Sequence, residues 1–136
     1  MTQETKRVTL DWVQDLRFTG GEPGGPPVTL DGDNTAGPGP MVTLLLAAAA
    51  CTGSDVVDIL KKMRVPFGQL TIEATGVRRQ EHPCRYVLIH LVYRMGGIGL
   101  DEAKIRRAID LSLEKYCSVV HSLAPDVAVT YELSLA

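Results

Sequence analysis

Between Pro40 and Pro66 the chain reads "PMVTLLLAAAACTGSDVVDILKKMRV", and no other segment constrains the fold as much. Pro40 suits a helix entry and Pro66 a helix end, so the spacing predicts one long helix over about residues 41 to 63. In its later half Val56, Ile59, Leu60 and Met63 form a single apolar stripe at about 100° per residue. The first half, Leu44 to Ala50, is apolar all round, which predicts burial on both sides. One sheet in a small domain cannot cover two sides of a helix, so a second subunit is the economical cover.

The segments around this helix have the period of strands. Val8, Leu10 and Trp12 alternate with Thr9, Asp11 and Val13, predicting one strand over residues 6 to 18. "TGGEPGGPP" follows as a turn-rich loop, and Val28-Thr29-Leu30 reads as a short strand pairing back across it. Strands are expected over 69 to 77, with Leu70, Ile72 and Ala74 inward, and over 84 to 94, with "EHPC" turning between them. Asp101 is placed to cap a second helix over about 102 to 123, whose stripe is Ile105, Ala108, Ile109, Ser112, Tyr116, Val119, Val120 and Leu123. "VAVTYELSL" alternates again. The order β-β-α-β-β-α-β, with hairpins rather than crossovers, predicts an α+β fold: a largely antiparallel sheet with two main helices in a single domain over 1-136.

Composition removes several function classes. The formal net charge is −2 and the basic residues are scattered, clustering only at "KKMR" and "VRRQ", which does not make a nucleic-acid surface. The apolar run from Leu44 to Cys51 falls short of the roughly 20 residues a membrane span needs. The polar N-terminal "MTQETKRVTL" is unlike a secretory signal. Three cysteines without C-x-x-C spacing do not form a secreted disulfide framework, so a cytoplasmic protein is expected.

Cys51 lies off the apolar stripe of its helix. Its own face runs Leu44, Ala47, Ala48, Cys51, Ser54, Asp55, Asp58, Lys62, apolar before the cysteine and polar after it. Cys117 takes the same kind of position on the second helix, between Leu113 and Val120 on one side and Glu114 and His121 on the other. Free cysteine is among the most buried residue types, and taken singly each reads most simply as packing. Two boundary thiols on two helices of one small domain point instead toward shared chemistry.

"GPMVTLLLAAAACTGSDVVDILKKMR" and "LEKYCSVVHSL" resemble the two cysteine helices of the OsmC/Ohr family, the osmotically induced and organic-hydroperoxide-resistance proteins. "DWVQDLRFTG", "LDGDNTAGPGP" and "ILKKMR" resemble a less characterised OsmC-like branch, and the likeness runs from about residue 8 to the end. The resemblance implies an intertwined homodimer with two active sites at its interface, and thiol-dependent reduction of organic hydroperoxides in oxidative-stress defence. It implies Cys51 as peroxidatic thiol, Cys117 as resolving thiol through a disulfide, and a dithiol reductant of the lipoyl type. It also implies that Arg17, before Phe18-Thr19-Gly20, lowers the thiol pKa and orients the peroxide. The family's peroxidases place a glutamate just after the helix-entry proline to pair with that arginine. Here Met41, Val42 and Thr43 follow Pro40, leaving Glu22, Asp31 and Asp33 as the nearby loop carboxylates for Arg17.

Two other readings of the same residues exist. A metal site could join Cys117 and His121, four apart, with Cys51, Cys84, His82 or His90, but no pair has structural-zinc spacing, so neither metal nor cofactor is expected. A dimer that binds a small apolar ligand without catalysis is the alternative left by the absent glutamate.

Overall fold

The computed structural model describes residues 3–136; Met1 and Thr2 lie outside the described residues. The chain divides into two compact units, Met1–Leu44 and Leu45–Ala136, with the division inside the long helix.

The N-terminal unit is a three-stranded antiparallel sheet in the order β1-β2-β3: β1 Thr9–Gln14, β2 Arg17–Gly21, β3 Val28–Asp31. The single strand expected over 6 to 18 is therefore a hairpin. Gln14 pairs with Arg17 across a two-residue turn in which Asp15 has φ 46°, a left-handed conformation that a short polar side chain tolerates. Trp12 Nε1 donates to the Asp15 carbonyl at 2.8 Å and pins the turn. β2 and β3 pair across the Gly/Pro loop as the sequence suggests, Phe18 opposite Leu30 and Arg17 opposite Asp31. A Cβ at Gly20 would lie 2.1 Å from the Thr9 carbonyl oxygen, so only glycine allows β1 to approach there. β1 is exposed along its length, Trp12 at 66%, so the expected half-buried alternation finds no cover within one chain.

The helix α1 spans Pro40–Lys62. Ala48, Thr52, Val56 and Leu60, spaced by four, are fully buried, while Ile59 and Met63 are half-buried. Leu46 stays 56% exposed, so the all-round apolar half is covered on one side only in the single chain. The helix stops at Arg64, φ 59°, where the Val65 N–H reaches the Leu60 carbonyl at 2.9 Å in a six-to-one closure. By length and composition alone α1 could cross a membrane, but its last two turns carry Asp55, Asp58, Lys61 and Lys62.

The C-terminal unit holds the second sheet, β4 Gln69–Arg78, β5 Tyr86–Gly96 and β6 Ala128–Leu135, in the order β4-β5-β6. Leu70, Ile72 and Ala74 are the covered side of β4, as their alternation predicts. β5, the central strand, supplies Ile89, Leu91, Tyr93 and Met95 to the core. β4 and β5 are antiparallel, but β6 runs parallel to β5, so the hairpin-only expectation is corrected. The helices after β5 carry the chain back to the end where β5 began, which is a crossover, and a crossover returns a parallel strand.

Asp101 caps α2, Glu102–Leu111, by accepting from the Lys104 N–H at 3.1 Å. The second helix does not continue to 123. Ser112–Tyr116 form a wide π turn, Cys117 is extended at φ −70° and ψ 100°, and a short helix α3 resumes over Ser118–His121. The π turn closes with the Cys117 N–H on the Ser112 carbonyl, 2.7 Å, five residues back. The wider turn rotates the residues at its end: Tyr116, placed inward by a regular helix, is 50% exposed, and Cys117, placed at the edge, is fully buried.

Candidate functional site

The π turn and α1 bring Cys51 and Cys117 together. The two sulfurs and a carboxylate oxygen of Asp55 all lie within 4.8 Å of one another, and both thiols are free. Cys51 is half-buried, whereas Cys117 is enclosed. Burial pushes the Cys117 thiol up to about 11, the Val120 N–H pulls in the opposite direction, and the neighbouring Cys51 and Asp55 charges add to the rise. Cys117 is therefore held as a neutral thiol at pH 7.

In the sequence Asp55 is legible only as a member of the Cys51 face, one helical turn on. Folding fixes it through residues far apart in sequence. Its Oδ2 accepts from Ser112 Oγ at 2.9 Å, Ser112 Oγ contacts Thr52 Oγ1 at 2.7 Å, and Thr52 Oγ1 contacts Tyr93 Oη at 2.8 Å. Burial raises Tyr93 to about 12, so its hydroxyl stays protonated in this chain. Tyr131 stacks edge-on against Tyr93, centroids 5.8 Å apart, and donates to Asp110 Oδ1 at 2.9 Å. Among the described residues no buried side-chain nitrogen or oxygen lacks a partner, so the polar chain is complete. Sequence periodicity makes Ser112 a member of an apolar stripe, and its small size hides the polar role.

Arg17 belongs to the N-terminal unit. Of its three candidate carboxylates Asp31 is the one that meets it, Nε to Oδ2 at 3.4 Å. Asp31 is 1% exposed; Oδ1 accepts from the Asp33 N–H at 2.8 Å and Oδ2 from the Ala36 N–H at 2.9 Å. Those backbone donors, with Arg17 adding a smaller part, hold the Asp31 carboxyl below its usual range. Glu22 pairs with Lys6 at 3.6 Å instead.

The remaining candidates have ordinary partners. Cys84 Sγ lies 3.5 Å from His82 Nδ1 in the exposed turn before β5. His90 contacts Thr130 Oγ1 at 2.7 Å across the sheet. His121 Nε2 donates to the Leu113 carbonyl at 3.1 Å, and the rival reading's Cys117–His121 pair is not among the residues that converge on Cys51.

Two free thiols meet between a long helix covered on one side and a helix broken at the second thiol, beside a mixed sheet, and this arrangement fits the OsmC class. The profile described as OsmC-like protein matches residues 31–132, and the chain belongs to that family. Protein YhfA of Escherichia coli K12 is 38% identical over 123 residues, covering 90% of this chain and 92% of YhfA. A hypothetical protein from Aquifex aeolicus superposes with TM-score 0.85 at 32% identity, over 98% of this chain and 99% of that one. An organic hydroperoxide resistance protein OsmC from Legionella pneumophila shares the fold at TM-score 0.68 and 11% identity, over 98% and 99% of the two chains.

Proposed function

We propose that this protein is a thiol peroxidase that reduces organic hydroperoxides in oxidative-stress defence. The observation that carries the proposal is the meeting of Cys51 and Cys117, distant in sequence, with one thiol half-exposed and the other enclosed. The Cys51 thiolate attacks the distal peroxide oxygen; the O–O bond breaks, the alkoxide leaves and takes a proton to become the alcohol, and Cys51 becomes a sulfenic acid. The Cys117 sulfur then attacks the Cys51 sulfur, the S–S bond forms, and hydroxide leaves with the thiol proton as water. An external dithiol of the lipoyl type restores both thiols by exchange.

Arg17 is the cation that favours the Cys51 thiolate, and Asp31 holds it in place of the carboxylate missing after Pro40. The working form is a cytoplasmic homodimer, in which the chain acts as one OsmC-like domain. Support comes from the family and from an open groove of about 670 Å³ along the bare side of α1, lined by Leu46, Ala50, Gly53 and Val57 with Leu70 and Ile72 of β4. That groove also favours the second reading, a dimer that binds a small apolar ligand while its thiols stay idle.

Reduced protein should consume an organic hydroperoxide faster than hydrogen peroxide, in proportion to added dithiol. Cys51→Ser should abolish turnover. Cys117→Ser should leave a Cys51 sulfenic acid that a dione reagent traps. Wild-type turnover by Cys51→Ser would disprove the reaction. Intact thiols after one equivalent of hydroperoxide would favour the ligand-binding reading.

A further inference from the structure

Disulfide chemistry at Cys51 and Cys117 asks nothing of a carboxylate, yet Asp55 stands within 4.8 Å of both sulfurs. A negative charge there opposes any thiolate by repulsion. No Lys, Arg or His forms an ion pair with Asp55 among the described residues, and its hydrogen bond comes from the Ser112 hydroxyl. Three donors that are anionic when bound converge on one point, and a cation is the partner that would satisfy all three.

We propose that, in the reduced chain, Cys51, Asp55 and Cys117 form a three-ligand site for a thiophilic divalent cation of the zinc class, with the fourth position open. Cys51 and Asp55 are four residues apart on one face of α1, a separation that aims two side chains at the same ion. Cys117 comes from the other side, buried and turned inward by the π turn, a distortion that often marks functional positions. Two sulfurs around tetrahedral zinc, each at about 2.3 Å, are roughly 3.8 Å apart. Donors already within 4.8 Å close that gap by small side-chain rotations.

The outer shell is also present. A ligating carboxylate needs its remaining lone pairs held, and the chain Ser112–Thr52–Tyr93 holds Asp55 from the core. Two thiolates and one carboxylate match the soft and borderline divalent ions rather than magnesium or calcium. Closing the Cys51–Cys117 disulfide removes two of the three ligands. Binding is therefore confined to the reduced chain, and a bound ion keeps both thiols from reacting.

The test uses the full chain, reduced and stripped of metal, titrated with Co²⁺ in the absence of any peroxide. It is therefore independent of whether the chain is a peroxidase. One equivalent should bind with sulfur-to-cobalt charge-transfer absorption, and Zn²⁺ should displace it. Cys51→Ser should lose most of that absorption, and Asp55→Asn should weaken binding on the order of 10-fold or more. Ser112→Ala, which frees the Asp55 carboxylate, should weaken it about 10–100-fold. Cys84→Ser removes the half-buried thiol beside His82, remote from the site in sequence, and should titrate as the parent does. The half-buried positions of Cys51 and Asp55 let those variants be read even if Cys117→Ser does not fold. Absence of charge-transfer absorption, an undiminished band in Cys51→Ser, parent affinity in Asp55→Asn, or loss of the band in Cys84→Ser would each overturn the site.

Discussion

Asp31 does what Met41, Val42 and Thr43 cannot, presenting a carboxylate to Arg17 from the facing strand. A pair with an arginine this exposed adds little stability, so its value lies in fixing the guanidinium. The backbone donors of the Asp33 and Ala36 turn matter more to Asp31 itself, and they are why its carboxyl sits below the ordinary 3.8. A depressed folded-state pKa means the carboxylate form stabilises the fold. That contribution is complete above the unfolded value and fades as pH falls through the lower folded value. Asp31→Asn should therefore lower the melting temperature at neutral pH, with the gap to the parent narrowing in acid; a gap that stays constant with pH would contradict this. The sequence offers Glu22, Asp31 and Asp33 equally, because only the strand register places Asp31 opposite Arg17.

At the scale of elements, the broken helix decides the site. A regular helix over 102 to 123 would leave Cys117 at its edge, and the π turn makes the one-residue correction that buries it. Thr52 links this element to α1 and β5 through its contacts with Ser112 and Tyr93. Thr52→Val keeps the shape and removes the hydroxyl, leaving the buried Tyr93 Oη without that partner. The cost should be about 1–3 kcal/mol, read as a lower urea midpoint at unchanged slope. Propensity could not reveal the break: Leu113, Glu114 and Lys115 are good helix formers, and the π turn answers to packing instead.

At the scale of the molecule, the bare apolar side of α1 and the uncovered strand β1 call for cover that one chain does not supply. Leu46, exposed at the head of the α1 groove, is a direct probe of that cover. Leu46→Asp should convert the proposed dimer to a folded monomer in sedimentation, with unchanged far-ultraviolet dichroism. A variant that sediments as the parent does would place the dimer contact elsewhere or remove it.

Periodicity and punctuation were enough to determine the elements: the long helix between its prolines, the alternating strands, the Asp101 cap and the boundary placement of Cys51. These are properties of a few adjacent residues, which is why the α+β class was legible in the chain. The tertiary structure alone decided the two-residue turn that splits the first strand, the parallel seating of β6 and the break at Cys117. It also decided which carboxylate meets Arg17 and which meets the thiols. Each of those depends on contacts between residues remote in sequence. Asp55 shows the difference most plainly: it sat in view one turn beyond Cys51, and only the inward rotation of Cys117 and the Ser112 hydroxyl gave its position a chemical meaning.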